Sequence, residues 1–101
     1  MTPERFERSL ADPSPPVELS AALAALWWAA KDDWNKAHAL VMADDGTDAA
    51  WVHAFLHRVE GDLPNARYWY RAAGRPESMS PLAEERAAIT ASLLLIRRQV
   101  D

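Results

Sequence analysis

The chain has no cysteine among its 101 residues. Disulfides, thiolate nucleophiles and cysteine-ligated metals are therefore excluded, and the absence fits a reducing compartment. No apolar run approaches the ~20 residues of a membrane-spanning helix. The opening stretch MTPERFERSLADPSPP also lacks the apolar centre of a secretory signal. The expectation is a cytoplasmic protein with no membrane association. Basic residues are in deficit, 11 Lys and Arg against 15 Asp and Glu for a net charge of −4, so nucleic acid has no electrostatic reason to bind non-specifically. There are only three glycines and no phosphate-cradling run of them, no His-Glu-x-x-His order, no nucleophile elbow and no paired carboxylates in an evident pocket. The sequence gives catalysis no positive support, and the chain reads as a binder more than as an enzyme.

Alanine is abundant, with 20 residues, and five Trp stand beside two Tyr and two Phe. Alanine favours helix and lets helices approach closely, while the large rings bury the apolar area that methyl groups cannot. A chain of this length makes one domain around one core.

Breaks along the chain divide it into helices. Thr2-Pro3-Glu4 has a cap, a first-turn proline and an acid, which predicts a short helix over 3–11 docked by Phe6 and Leu10. Asp12-Pro13-Ser14-Pro15-Pro16 ends it. A second helix is expected after Ser14, with Leu19, Leu23, Leu26 and Ala30 as its apolar face and Trp28 directed away from that face. Lys31-Asp32-Asp33 breaks the pattern, and a third helix continues from Trp34 to about Ala43. The loop Asp44-Asp45-Gly46-Thr47-Asp48 lacks the length and terminal glutamate of a calcium loop. Gly46 can take the left-handed conformation there, and Thr47 or Asp48 can cap the next helix. A fourth helix follows over about 48–60. Gly61-Asp62 then sets a C-terminal glycine against an N-cap, which predicts a tight antiparallel pair with a helix over 63–73. Gly74-Arg75-Pro76 closes that helix, and Ser80-Pro81 opens the last one. Its acids Glu84 and Glu85 and bases Arg97 and Arg98 match the helix dipole, and Leu82, Ile89, Leu93, Ile96 and Val100 form its stripe. Leu94 and Leu95 lie off that stripe, where they could be covered by a neighbour or could join a second copy of the chain in a homo-oligomer.

Asp32-Asp33-Trp34-Asn35-Lys36-Ala37 is echoed 29 residues later by Gly61-Asp62-Leu63-Pro64-Asn65-Ala66, as two hairpins in tandem would produce. Through Ala54, Gly61, Ala66, Tyr70 and Ala73 the chain resembles the tetratricopeptide and Sel1-like helical repeats. That resemblance implies an all-α domain of two stacked antiparallel helix hairpins over 17–76, flanked by an N-terminal arm and Pro-rich linker (1–16) and a C-terminal helix (77–101). It also implies binding of a protein or peptide in a groove lined by the first helices, which would use Trp27, Trp28, His53, His57 and Arg58. A second resemblance, carried by Trp51, His53, His57, Arg58, Glu60, Asp62, Asn65, Ala66, Tyr68 and Trp69, is to a signature of small bacterial proteins of uncharacterised function, and it implies no chemistry.

The segment from Trp51 to Gly74 is the least generic. At about 100° per residue, Trp51, Val52, Phe55, Leu56 and Val59 share one side of the fourth helix, and His53, His57 and Glu60 share the other. Two imidazoles at i, i+4 with a carboxylate one turn on could hold Zn²⁺ or Fe(II), while a half-exposed polar face has the same pattern. His38 is the only remaining imidazole that could add to that set, but beside Trp34 and Val41 it reads first as a satisfied histidine at the edge of the core. Arg67, Arg71 and Arg75 form a ladder next to Tyr68 that could hold a phosphate or carboxylate or could be a solvated face. Asp62 and Asn65 are capping groups, and Tyr70, if buried, needs a partner for its hydroxyl.

Overall fold

A computed structural model describes residues 1–100, with side chains through Leu95. Ile96, Arg97, Arg98 and Val100, expected on the stripe and last turn of the final helix, lie outside the described side chains. Among the described residues the chain is all helical, with six helices and no strand: α1 (Pro3–Ser9), α2 (Ala21–Ala30), α3 (Trp34–Met42), α4 (Thr47–Val59), α5 (Leu63–Ala73) and α6 (Leu82–Val100). No helix is long and apolar enough to cross a membrane.

Local chemistry sets most of the boundaries. The Thr2 hydroxyl accepts the Arg5 N–H to start α1. The α1 segment is docked on the core: Phe6 is buried, and the Trp27 indole donates to Ser9 Oγ at 3.0 Å. The Lys31 ammonium donates to the carbonyls of Leu10 and Asp12 just beyond α1. The second helix starts later than expected, at Ala21, because the Ser20 hydroxyl caps it through the Leu23 N–H. Leu19 precedes the helix yet still packs on the core. Gly46 is extended at φ −71°, ψ 159°, not left-handed, and supplies no side-chain cap to α4. The turn is held instead by Asp44 Oδ1, which accepts the Gly46 N–H at 2.7 Å. The last helix begins at Leu82, where the Pro81 carbonyl accepts the Glu85 N–H.

The 29-residue echo is a geometric one. Asp32 (φ 62°) and Gly61 (φ 84°) both take left-handed backbone. The next residues, Asp33 and Asp62, share nearly one conformation (ψ 79° and 78°), and their carboxylates cap Lys36 and Asn65. In each turn the aspartate N–H returns to a carbonyl five residues back, Trp28 or His57, at 2.9 Å. The helices on either side of each turn, α2 with α3 and α4 with α5, pack against each other.

The central helix is α4, which contacts α2, α3, α5 and α6. All but one residue from Ala49 to His57 is buried, with Trp51 partly so. Around it lie Leu23, Leu26 and Trp27 of α2, Val41 of α3 and Ile89, Leu93 and Leu94 of α6. Leu94 is part of this core, which leaves only Leu95 of the off-stripe pair on the surface.

Candidate metal centre

The centrality of α4 changes the environment of its two histidines. The wheel places His53 and His57 opposite the apolar side, as for a helix with one buried face. In the structure α3 and α5 cover that second side, and His53 and His57 retain 5% and 6% of their surface. The Trp34 indole donates to the Leu56 carbonyl at 2.7 Å, pinning the start of α3 to α4. One turn on, His38 stacks flat against Trp34, with centroids 4.5 Å apart, and reaches the cluster. From α5, Trp69 stacks on His53 at 3.9 Å, and His57 lies roughly parallel to His53 at 4.8 Å.

The result is three imidazoles in mutual contact. His38 Nε2 and His53 Nε2 are 3.1 Å apart, and His57 Nδ1 is 2.6 Å from Glu60 Oε1. A carboxylate on Nδ1 fixes the tautomer of His57 and leaves the lone pair on Nε2, where the Asn65 side-chain amide donates at 3.3 Å. Burial and the neighbouring rings His57 and His38 push the His53 pKa down to about 4. Burial lowers that of His38 as well, with His57 adding to the effect and Glu60 opposing it. At neutral pH both rings are therefore uncharged, the state in which imidazole can ligate a metal.

One ligand atom from each of His38, His53 and His57 fits within a mutual span of 4.8 Å. Tetrahedral Zn–N bonds of ~2.0–2.1 Å set donors about 3.4 Å apart, so the His38–His53 pair is close to coordination spacing, while the third ring would have to move inward by up to about 1.4 Å and exchange the Asn65 amide for the metal at Nε2. Glu60, expected as the third ligand, sits instead on the far nitrogen of His57, in the orienting position common behind metal-bound histidines. From the sequence His38 is a spare imidazole that reads first as a core-edge residue, because its contact with the other two depends on how α3 crosses α4. A second grouping, His57 with Glu60 and Asp62, is exposed on its acidic side, and Asp62 is already the N-cap of α5. A cleft of about 270 Å³ lined by Asp44, Asp45, His53 and Trp69 leads to the cluster and has an acidic rim.

The remaining candidate residues are distributed differently from the expected groove. Trp27 is fully buried and Trp28 half-buried, edge-on to Trp27 with the Lys36 ammonium 4.1 Å from its ring centroid. Arg58 is engaged: one amine meets Glu85 at 2.8 Å and the other donates to the Ser80 carbonyl. The Tyr70 hydroxyl donates to the same Glu85 carboxylate. Burial, followed by this bond, pushes the Tyr70 phenol well above its ordinary range. Glu85 is thus the partner that Tyr70 needs, although the sequence accounts for it as a dipole-compensating acid. Tyr68 is exposed, edge-on to Trp69, and does not line the cleft formed by Arg67, Arg71 and Arg75. No protein-family model matches the chain, and no curated protein or solved structure matches it.

Proposed function

We propose that this protein binds one divalent transition-metal ion through His38, His53 and His57, on a scaffold of two tandem hairpins of the tetratricopeptide kind. The observation that carries the reading is the 3.1 Å approach of two uncharged imidazole nitrogens, one on buried His53 and one on half-buried His38, beside a third imidazole whose far nitrogen is held by Glu60. A structural core histidine needs one hydrogen-bond partner, whereas three imidazoles brought together from two helices resemble a ligand set. Nitrogen donors favour Zn²⁺, Cu²⁺, Ni²⁺ and Co²⁺ over the hard cations Mg²⁺ and Ca²⁺. The cleft beside His53 leaves room for a water or small anion as fourth ligand. A protein or peptide partner, the other use of such hairpins, would have to employ a different surface, such as the open apolar trough lined by Trp34, Phe55, Val59 and Leu82.

The test is calorimetric titration of tag-free protein with Zn²⁺, and with Co²⁺ for its tetrahedral visible spectrum. One ion should bind per chain. His38→Ala and His53→Ala should each abolish the Co²⁺ spectrum, and Glu60→Gln should weaken binding by about tenfold through loss of the orienting carboxylate. Zn²⁺ binding that is absent, or that survives both histidine substitutions, would refute the site.

A further inference from the structure

A second feature lies on α5, away from the histidines. Arg67 and Arg71 stand one turn apart on its outer face. Like charges at that spacing destabilise a helix. Gly74, left-handed at φ 69°, ends the helix and turns the chain back, with the Gly74 and Arg75 N–H groups returning to the carbonyls of Arg71 and Tyr70. The reversal brings Arg75 beside the other two arginines, and the three line one cleft of about 250 Å³ with Tyr70, Pro76 and Glu77. Arg75 is pre-positioned, since its guanidinium lies over the Trp51 ring, 3.9 Å from the centroid. Among the described residues Arg71 has no ion-pair partner, and the cleft's single carboxylate, Glu77, makes only a long 3.6 Å pair with half-exposed Arg67. Three guanidinium groups against one carboxylate leave a local charge of about +2 in a chain whose net charge is −4.

We propose that the cleft between the outer face of α5 and the Gly74–Glu77 turn is a binding site for a small phosphate-bearing anion. A terminal phosphate has the oxygens and the double negative charge to engage Arg67 and Arg71 in forked pairs while displacing Glu77, and it would relieve the repulsion between the arginines. A soluble phosphomonoester presents such a terminal phosphate free of a bilayer, and a lipid headgroup is the contrary outcome that the experiment separates.

The experiment titrates metal-free protein, kept so with chelator, with inorganic phosphate, against sodium chloride at matched ionic strength. The Arg71 Nε–H and Trp51 indole N–H resonances are followed. Since no metal is present, the outcome is independent of the histidine site. Phosphate should give saturable shifts that chloride does not reproduce. Arg71→Gln should weaken binding by about tenfold, and Glu77→Gln should strengthen it. That opposite pair of effects would not follow from a merely structural role. Linear shifts equal to those with chloride, affinity unchanged in Arg71→Gln, or a response to phosphatidic-acid vesicles with none to free phosphate would each overturn the proposal.

Discussion

His53 sits in an environment far from that of a free side chain. It lies between the Trp69 and His57 rings with its Nε2 against His38; the Glu60 carboxylate is one ring away on His57, and Asp44 and Asp45 line the cleft that His53 shares. Its pKa of about 4 means that the metal-free native state resists a proton that the unfolded chain accepts near pH 6.5. Where the unfolded state binds more protons, stability rises with pH. The contribution is therefore complete above about pH 6.5 and is lost as the pH falls from there toward 4. With about 1.4 kcal/mol per pKa unit, His53 should account for a loss on the order of 2–3 kcal/mol across that window, and the lowered pKa of His38 acts in the same direction. Urea unfolding of chelator-treated protein at several pH values measures this. His53→Phe keeps an aromatic ring between Trp69 and His57 and should flatten the profile. A wild-type profile already flat between pH 4.5 and 6.5 would show that the cluster is solvated and protonated without cost.

The two helix-turn-helix elements give the same turn with different residues, Asp32 in one and Gly61 in the other, and this makes the demand of the turn measurable. A Cβ added at Gly61 meets nothing within 4 Å, so a substitution there is opposed by the left-handed backbone alone. Gly61→Ala should cost about 1–2 kcal/mol. Gly61→Asn should cost less, since a short polar side chain tolerates this conformation, as Asp32 already does. Equal losses in the two variants by thermal unfolding would mean that contacts beyond the turn set its energetics. The same contrast explains what could be read at this scale from the sequence. The aspartate caps, first-turn prolines and Gly74 act within four or five residues, and α3, α5 and the two hairpin turns stand close to where that chemistry predicts them. The start of α2 and the cap of α4 are less legible. Ser20 prevails over the expected start after Ser14, and α4 begins after Gly46 with no side-chain cap, Thr47 and Asp48 lying inside the helix while Asp44 holds the preceding turn through the Gly46 N–H.

At the scale of the whole molecule, the candidate site was half legible. The spacing of His53 and His57 places two candidate ligands on one face, but a helical wheel assumes one buried side, and α4 is enclosed by four other helices. Enclosure is a property of packing, and it brought in His38, turned Glu60 into an orienting group and took Arg58 away from any groove. Arg58, on α4, now meets Glu85 on α6, which also receives the Tyr70 hydroxyl of α5, so one buried carboxylate joins three helices and the Ser80 carbonyl continues the network. The side chains of Arg58 and Glu85 keep only 16% and 5% of their exposure. Removing one partner leaves a charge that water reaches poorly, and Arg58→Ala should cost about 3 kcal/mol, the lower end for a buried pair because Arg58 is partly wet. Tyr70→Phe should cost about 1–2 kcal/mol, as one charge-assisted bond is lost. Because all three groups share Glu85, the combination of Arg58→Ala with Glu85→Gln should cost clearly less than the sum of the single changes. Hydrogen exchange provides the structural readout: in Arg58→Ala the amides of Ala87–Leu93 should lose protection before those of α4. Additive losses, or protection lost equally in α4 and α6, would show that α6 is held by its Ile89 and Leu93 contacts and not by the ion pair.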